Sequence, residues 1–506
     1  MWASDRNDSE DLGDWIVQQE WSNGKIMTFG ASADGIASLQ TIKSKPKWLQ
    51  GQYIAWMTSQ IYQILLPYGT YKQKTAEDWL LDLTLSGDSN LIYDNIDIVH
   101  ENEAHTDYWL GVEVSDNEFS YVNFPNAIWG GWYDLFLLGT LQAFDGYNLK
   151  SDLSVRYTSK IIIDPCGHCL EAQNYFLSHS LLGRTALVLA QMFEVYGIRP
   201  VKRSSVKNVT FYVMSSNDSA GLKAGGYWTS LSSFPKVKYT DYYLLSDQIL
   251  STKPMYSNID ENNQQLSSSS SSSSSSYLYN PLNPVPTIGG NNLPDSIGGS
   301  IPCGPLDHSS IDNRDDILKF QSDIISEGDE IVITGTMTAT LYVSSTAIDT
   351  DFMIKISDVY PSGEVRIIQD NAIRMRWREN GLEPTYMLNN TIYKVELNLW
   401  NTSYVFAEGH AIRITITSSN YPRFSINNNN GILLSDTNNY PGPIIKATNT
   451  LYHSLKYQSK ISLPIILNKR IQLPEVRVIY EVQSMYPFLT DERLEKYSLM
   501  IGARKK

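Results

Sequence analysis

Lys25-Ile26-Met27-Thr28-Phe29-Gly30-Ala31-Ser32-Ala33-Asp34-Gly35 is the stretch on which the reading of this chain turns. A short apolar run ends in Gly-x-Ser-x-x-Gly, and a helix-compatible stretch follows. That is the layout of a nucleophile elbow, in which a Ser sits on a tight strand-to-helix turn. Gly30, Ala31, Ala33 and Gly35 are small, as the close approach of backbone in such a turn requires. The following helix would direct its N-terminus at the site, where a developing oxyanion is favoured. The bland alternative is an ordinary Gly/Ser turn, so the segments on either side have to decide.

Upstream, Asp11–Trp21 reads as a helix and Ser22-Asn23-Gly24 as a turn. Downstream, Lys43 to Asn117 carries a mostly helical pattern rich in Trp, Tyr, Gln and Leu. It interrupts the β/α rhythm and reads as an inserted helical cap. The rhythm resumes with a strand over Tyr121–Trp129, then Gly130-Gly131-Trp132-Tyr133-Asp134, then a helix near Phe136–Ala143. Lys160–Asp164 is a buried-type strand that runs into Pro165-Cys166-Gly167-His168, and Val206–Met214 is one more. Phe176–Phe193 is apolar but interrupted by His179 and Arg184, and reads as an amphipathic helix.

Beyond Lys236 the helical periodicity stops. Ser267–Ser276 is a serine run that cannot build a core and reads as a flexible insert. Alternating segments follow at Glu330–Thr334, Thr338–Ser344, Phe352–Asp358, Val365–Gln369, Tyr393–Leu399 and Ala411–Thr417. Turns rich in Gly, Asn, Pro and Ser separate many of them, which is the signature of an all-β sandwich.

Composition narrows the function classes. The chain has 506 residues and a formal charge of -14, enough for two or three domains. There is no basic stripe, which argues against a nucleic-acid partner. No apolar run is long enough to span a bilayer. The first residues are polar and acidic, unlike a signal peptide, so a cytoplasmic location is expected for the chain as written and a secreted one if it starts further upstream. Asn7, Asn208, Asn217, Asn389 and Asn401 head Asn-x-Ser/Thr sites that matter only on a secretory route. The three cysteines, Cys166, Cys169 and Cys303, do not make a disulfide framework.

Ser32, Asp134 and His168 each follow a predicted strand, in that order along the chain. Strand ends on one edge of a parallel sheet converge, so distant residues meet there. A Ser hydroxyl needs a His to take its proton, and an Asp to fix the imidazole tautomer. Asp134 could instead cap the helix after it, and His168 could be a structural loop residue. Their joint placement in the order Ser…Asp…His favours the catalytic reading, with the backbone N–H of Ala33 as an oxyanion donor.

Two other motifs compete. Cys166-Gly167-His168-Cys169 has the spacing of a thiol oxidoreductase site, but nothing else in the chain has that fold's layout. His100-Glu101-Asn102-Glu103-Ala104-His105 looks rich in metal ligands. Its His spacing of five puts the rings on different helix faces, so a polar surface loop is expected and no metal or other cofactor.

The residues also resemble a known family, the CocE/NonD serine hydrolases of the cocaine esterase and X-Pro dipeptidyl-peptidase group. The resemblance runs from about Leu12 to Ile466. It is carried by Trp15-Ile16 and Trp21-Ser22-Asn23-Gly24, the elbow at Ser32, Gly131-Trp132-Tyr133-Asp134, and Asp164-Pro165-Cys166-Gly167-His168. Further on it includes Tyr279-Asn280-Pro281, Pro284-Val285-Pro286-Thr287, Asn313-Arg314-Asp315-Asp316, Asp349-Thr350-Asp351-Phe352, Arg374, Gly409-His410 and Ser418-Ser419-Asn420-Tyr421-Pro422-Arg423-Phe424. The resemblance implies an α/β-hydrolase followed by a C-terminal β-sandwich (jelly roll) beside the active-site cleft. The hydrolase domain would take residues 1–42 and 118–235, and a helical cap 43–117. The jelly roll would take 236–466 with a disordered poly-Ser insert at 257–276, and a C-terminal extension 467–506.

It also implies a catalytic triad of Ser32, Asp134 and His168, and assigns Arg374 with Asp349 and Asp351 to holding the β domain together. The chain departs from the family pattern at Ala33, where an aromatic is usual, and at Cys166, where Trp is usual. Only 24 residues precede Lys25, so the sheet is expected to lack the strands that come before the nucleophile, which would leave that strand at an edge. The family's upstream Tyr, the second oxyanion donor, has no counterpart there. Pro67-Tyr68-Gly69 follows the Ser and takes no such role.

The leading expectation is a serine hydrolase acting on a small ester, an amide or a peptide through an acyl-enzyme, X-Pro dipeptidyl-peptidase-like. The alternatives are a catalytically weak remnant whose β domain binds a partner, and a thiol oxidoreductase. A homo-oligomer is left open.

Overall fold

In the computed structural model of the chain the described residues are 4–84, 90–168, 176, 181–197, 206–218, 224–254, 273–293, 299–437, 441–467, 470 and 472–502. The protein is mixed α/β and divides into two compact units. One is built from Met1–Ile64, Asp107–Pro235 and Asn468–Lys506, the other from Leu65–Thr106 and Lys236–Leu467.

The first unit is organised on a six-stranded sheet whose spatial order is the chain order: β1 (Ile26–Ala31), β2 (Leu49–Ala55), β3 (Asn126–Tyr133), β4 (Lys160–Gly167), β5 (Val209–Val213) and β6 (Tyr227–Leu231). The first five strands are parallel and β6 is antiparallel to β5. Helices cover the sheet, so its inner strands are buried on both faces and read as continuous apolar runs. Every residue of β3 is buried. Ala33–Gln40 packs on β1 and β2, Leu137–Asp145 on β3, and Leu181–Val195 on β2, β3 and β4. Close packing demands glycine at Gly130, where a Cβ would lie 2.9 Å from Thr140.

The helical reading of 43–117 fails at Leu49–Ala55, which is strand β2 between β1 and β3. The pattern was misleading because β2 has no exposed face and carries a buried Gln. Gln52 donates to Ser38 O, Thr28 Oγ1 and Thr41 Oγ1 and accepts from Tyr147 Oη. Leu65–Thr106 groups with the second unit. The strand expected from Tyr121 starts at Asn126. The tail beyond 467 contains helices Glu475–Met485 and Asp491–Gly502, both packed on Leu181–Val195. Phe193 anchors them through ring contacts with Tyr486 and Phe488.

The second unit holds two antiparallel sheets. One runs β8 (Leu250–Ser251), β7 (Val237–Leu244), β17 (Lys460–Ile466), β11 (Ile331–Ser345), β16 (Ala447–Tyr452), β9 (Ser274–Tyr279), with β14 (Tyr393–Phe406) also paired to β11. The other runs β10 (Leu318–Gln321), β15 (Ala411–Thr417), β12 (Asp351–Val359), β13 (Val365–Arg374). Tyr404 Oη donates to Asp358 across the two sheets. The segments predicted at 330–334 and 338–344 are one strand with an irregularity between Thr336 and Thr338.

The poly-Ser insert does not extend to 276. Ser274–Ser276 belong to β9 and pair with Thr450–Tyr452. Serine side chains have little strand preference, but the edge of β16 offers a backbone ladder and Ser275 Oγ meets His453 Nε2 at 2.7 Å. Residues 255–272 lie outside the described residues. Arg374 pairs with Asp351, and Arg376 pairs with both Asp349 and Glu103. Glu103 is therefore a buried ion-pair partner and not part of a polar surface loop.

Candidate active site

Ser32 stands between β1 and the helix Ala33–Gln40 with φ 59° and ψ -127°, left-handed backbone that a non-glycine residue seldom adopts. Such strain costs on the order of 1–3 kcal/mol and persists where the surroundings over-determine it. Here Ser32 N–H donates to Ala55 O of β2, and Ser32 O accepts from Ile36 N–H in the first helical turn. Gly30 permits the sharp turn: a Cβ there would lie 2.3 Å from Asp34 O and 2.6 Å from Ser38 Oγ.

Asp134 follows β3. Its N–H donates to Gly131 O, and its Oδ1 accepts from Phe136 N–H at 3.2 Å. Asp134 thus also fixes the turn that leads into the helix Leu137–Asp145, whose cap falls at Phe136. The same Oδ1 lies 2.8 Å from His168 Nδ1. His168 follows β4, and its Nε2 lies 2.8 Å from Ser32 Oγ. With Nδ1–H donated to the carboxylate, Nε2 is left to accept the Ser hydroxyl proton. His168 and Asp134 are buried, Ser32 is half-buried, and Phe136 packs edge-on against the imidazole at 5.0 Å.

The end of β4 is braced from behind. Asp164 Oδ1 accepts from Cys166 N–H at 3.1 Å and Oδ2 from Trp129 Nε1–H at 3.2 Å. Burial pushes the Asp164 carboxyl up, against the pull of the nearby Arg184 and these hydrogen bonds. The Arg184 guanidinium lies 5.7 Å from the centre of the Trp129 ring. Gly131 lets β3 pass β4 here, since a Cβ would sit 2.3 Å from Cys166 O. In the sequence Arg184 interrupts an apolar run, and a lone Arg in a buried helix is itself a sign that a carboxylate waits opposite.

The competing motifs take other forms. Cys166 is fully buried, and burial with Asp164 nearby pushes its thiol well up, opposite to an activated thiolate. Cys169 lies outside the described residues. His100 lies in the last turn of the helix Asn90–Glu101 in the second unit and packs edge-on on Tyr71. Among the described residues no group of three or more His, Cys, Asp or Glu is placed to hold a metal ion, and no helix is long and apolar enough to cross a membrane.

Residues 204–462, just over half of the chain, match the X-Pro dipeptidyl-peptidase C-terminal non-catalytic domain, and residues 1–95 match the X-Pro dipeptidyl-peptidase (S15) family. Cocaine esterase from Rhodococcus sp. (strain MB1 Bresler) is 25% identical over 518 residues, covering 92% of this chain and 84% of that protein. Among solved structures, an aminopeptidase from a marine sediment Thaumarchaeota archaeon superposes with a TM-score of 0.72 at 17% identity, over 91% of this chain and 80% of its own. A CocE/NonD family hydrolase from Staphylococcus aureus gives 0.64 at 16% identity, over 92% and 77%. The chain shares the fold of these two structures. The chain belongs to the CocE/NonD hydrolase family.

Proposed function

We propose that this chain is a serine hydrolase that cleaves an ester or amide through an acyl-enzyme. Ser32 Oγ attacks the carbonyl carbon as His168 Nε2 takes its proton. Asp134 holds the imidazole in the required tautomer and stabilises the imidazolium. The N–H of Ala33, at the start of the helix Ala33–Gln40, donates to the developing oxyanion. His168 returns the proton to the departing alcohol or amine, and then deprotonates the water that releases the acyl group. On this reading the first unit is an α/β-hydrolase sheet and the two sheets of the second form a jelly roll.

The observation that carries the proposal is the unbroken hydrogen-bonded relay Asp134–His168–Ser32, with both links at 2.8 Å. It favours a working site over an inactive remnant that serves binding. The relatives' names, an esterase and a peptidase, support ester and amide substrates alike. The test is fluorophosphonate labelling of the purified chain beside Ser32→Ala. Labelling that disappears in the variant is expected. An unlabelled wild type, or labelling that survives in Ser32→Ala, would overturn the assignment.

A further inference from the structure

Trp56 is the residue after β2, and β2 is the strand that flanks the nucleophile. Because Ser32 N–H donates to Ala55 O, the position that follows Ala55 is level with the elbow. Trp56 N–H in turn donates to Trp129 O of β3 at 2.7 Å, which pins the residue at the ends of the strands. Two features there lack a structural reason. Trp56 has φ 44°, a left-handed conformation that is a marked outlier for so bulky a side chain. The residue is 7% exposed and its ring lies 4.2 Å from the Trp129 ring, yet its Nε1–H has no acceptor among the described residues.

A buried indole N–H almost always finds a partner, and leaving one unmade costs the desolvation of the donor. Trp129 illustrates the rule, because its own Nε1–H is taken by Asp164. Strain and an unmet donor together, one residue from the nucleophile's neighbour strand, mark a position held for a ligand and not for the fold.

We infer that Trp56 Nε1–H is a substrate-binding donor that selects esters or amides bearing a hydrogen-bond-accepting oxygen close to the scissile carbonyl. The inference rests on the proposal that Ser32 is the nucleophile. The left-handed backbone stands at the strand ends, and the indole lies against the Trp129 ring. A substrate oxygen completes the hydrogen bond, whereas a methylene in its place leaves the donor dry and unpaired. Selection of this kind comes from the enzyme's buried polar group more than from added attraction.

The test uses matched substrates that differ by one CH2→O exchange. p-Nitrophenyl butanoate and methoxyacetate vary the acyl side, and butyl and 2-methoxyethyl acetate vary the alcohol side. Each kcat/KM is divided by the rate of spontaneous hydrolysis. The wild type is expected to prefer the oxygen-bearing member of at least one pair. Trp56→Phe, which keeps a ring on Trp129, should lose about tenfold of that preference, and Trp56→His, with a ring N–H, should regain part of it. A wild type without preference in either pair overturns the inference, as does a preference that Trp56→Phe retains. Should the Phe variant fail to fold, the wild-type preference and the His variant decide. Fluorophosphonate labelling of wild type and variants keeps the two readings apart. Labelling at Ser32 without oxygen preference defeats the role of Trp56 alone, and absence of labelling in the wild type defeats the nucleophile as well.

Discussion

Asp134 Oδ1 accepts from His168 Nδ1 at 2.8 Å, and neither side chain reaches solvent. The carboxylate fixes which imidazole nitrogen faces Ser32. Asp134→Asn can donate where it must accept, and would turn the ring's tautomer over. We expect kcat on an activated ester to fall by about 10³–10⁴-fold with little change in KM, the scale seen when this partner is replaced in such relays. Steady-state kinetics beside a thermal melt checks this. A fall of less than tenfold in a folded variant would remove Asp134 from the relay.

Gly30→Ala tests the elbow itself. Its Cβ would meet Asp34 O at 2.3 Å, and that oxygen belongs to the backbone of the turn. The turn has to open, moving Ser32 away from His168. Fluorophosphonate labelling should drop by at least tenfold, with a stability loss of about 1–3 kcal/mol by urea titration. Unchanged labelling would mean the turn relaxes without displacing the Ser.

Arg376 bridges two carboxylates of the second unit. It lies between Asp349, at 2.8 Å, and Glu103, and all three are buried. Arg376→Met strands two carboxylates, where breaking one buried pair already costs about 3–5 kcal/mol. The urea midpoint should fall steeply. Arg376→Met combined with Glu103→Gln and Asp349→Asn should recover much of the loss, and failure to recover any would show that packing of the Arg, not its charge, is what matters.

His308 gives the second unit an acid dependence. Burial, with Lys355 adding to it, lowers its pKa to about 3 from the ordinary 6.5, while its Nε2–H donates to Ile288 O. Below pH 6.5 the unfolded chain takes up a proton that the folded one refuses, so stability is lost as pH falls from 6.5 toward 3. At pH 5 this amounts to about 2 kcal/mol. His308→Gln, which keeps a donor but does not titrate, should show that much less destabilisation between pH 7 and pH 5. Parallel curves for the two proteins would contradict it.

The elbow was legible because its demands are local. Gly30, Ser32 and the small residues around them are forced by backbone geometry, and Asp134 and His168 follow strands whose apolar runs are plain. What stayed hidden was non-local. Leu49–Ala55 reads as helix because an interior parallel strand has no polar face to alternate with, and Gln52 looks like a surface residue until its four hydrogen-bond partners are known. Ser274–Ser276 have no signal of their own and become strand through the edge of β16. Trp56 is one aromatic among many in its stretch, and only its backbone angle and unmet N–H set it apart.

The rim position of β1 carries a consequence for how the protein would lose activity. Among the described strands β1 has a neighbour on one side, β2, and its outer face leaves Phe29 59% exposed. Ser32 is thus anchored to the sheet by a single ladder, while Asp134 and His168 hang from strands flanked on both sides. Segments with one ladder and little cover open at a lower free energy than the whole molecule. On warming, Ser32 would part from His168 through fraying of these six residues before the sheet melts. Inactivation should therefore run ahead of unfolding, and cooling should reverse it.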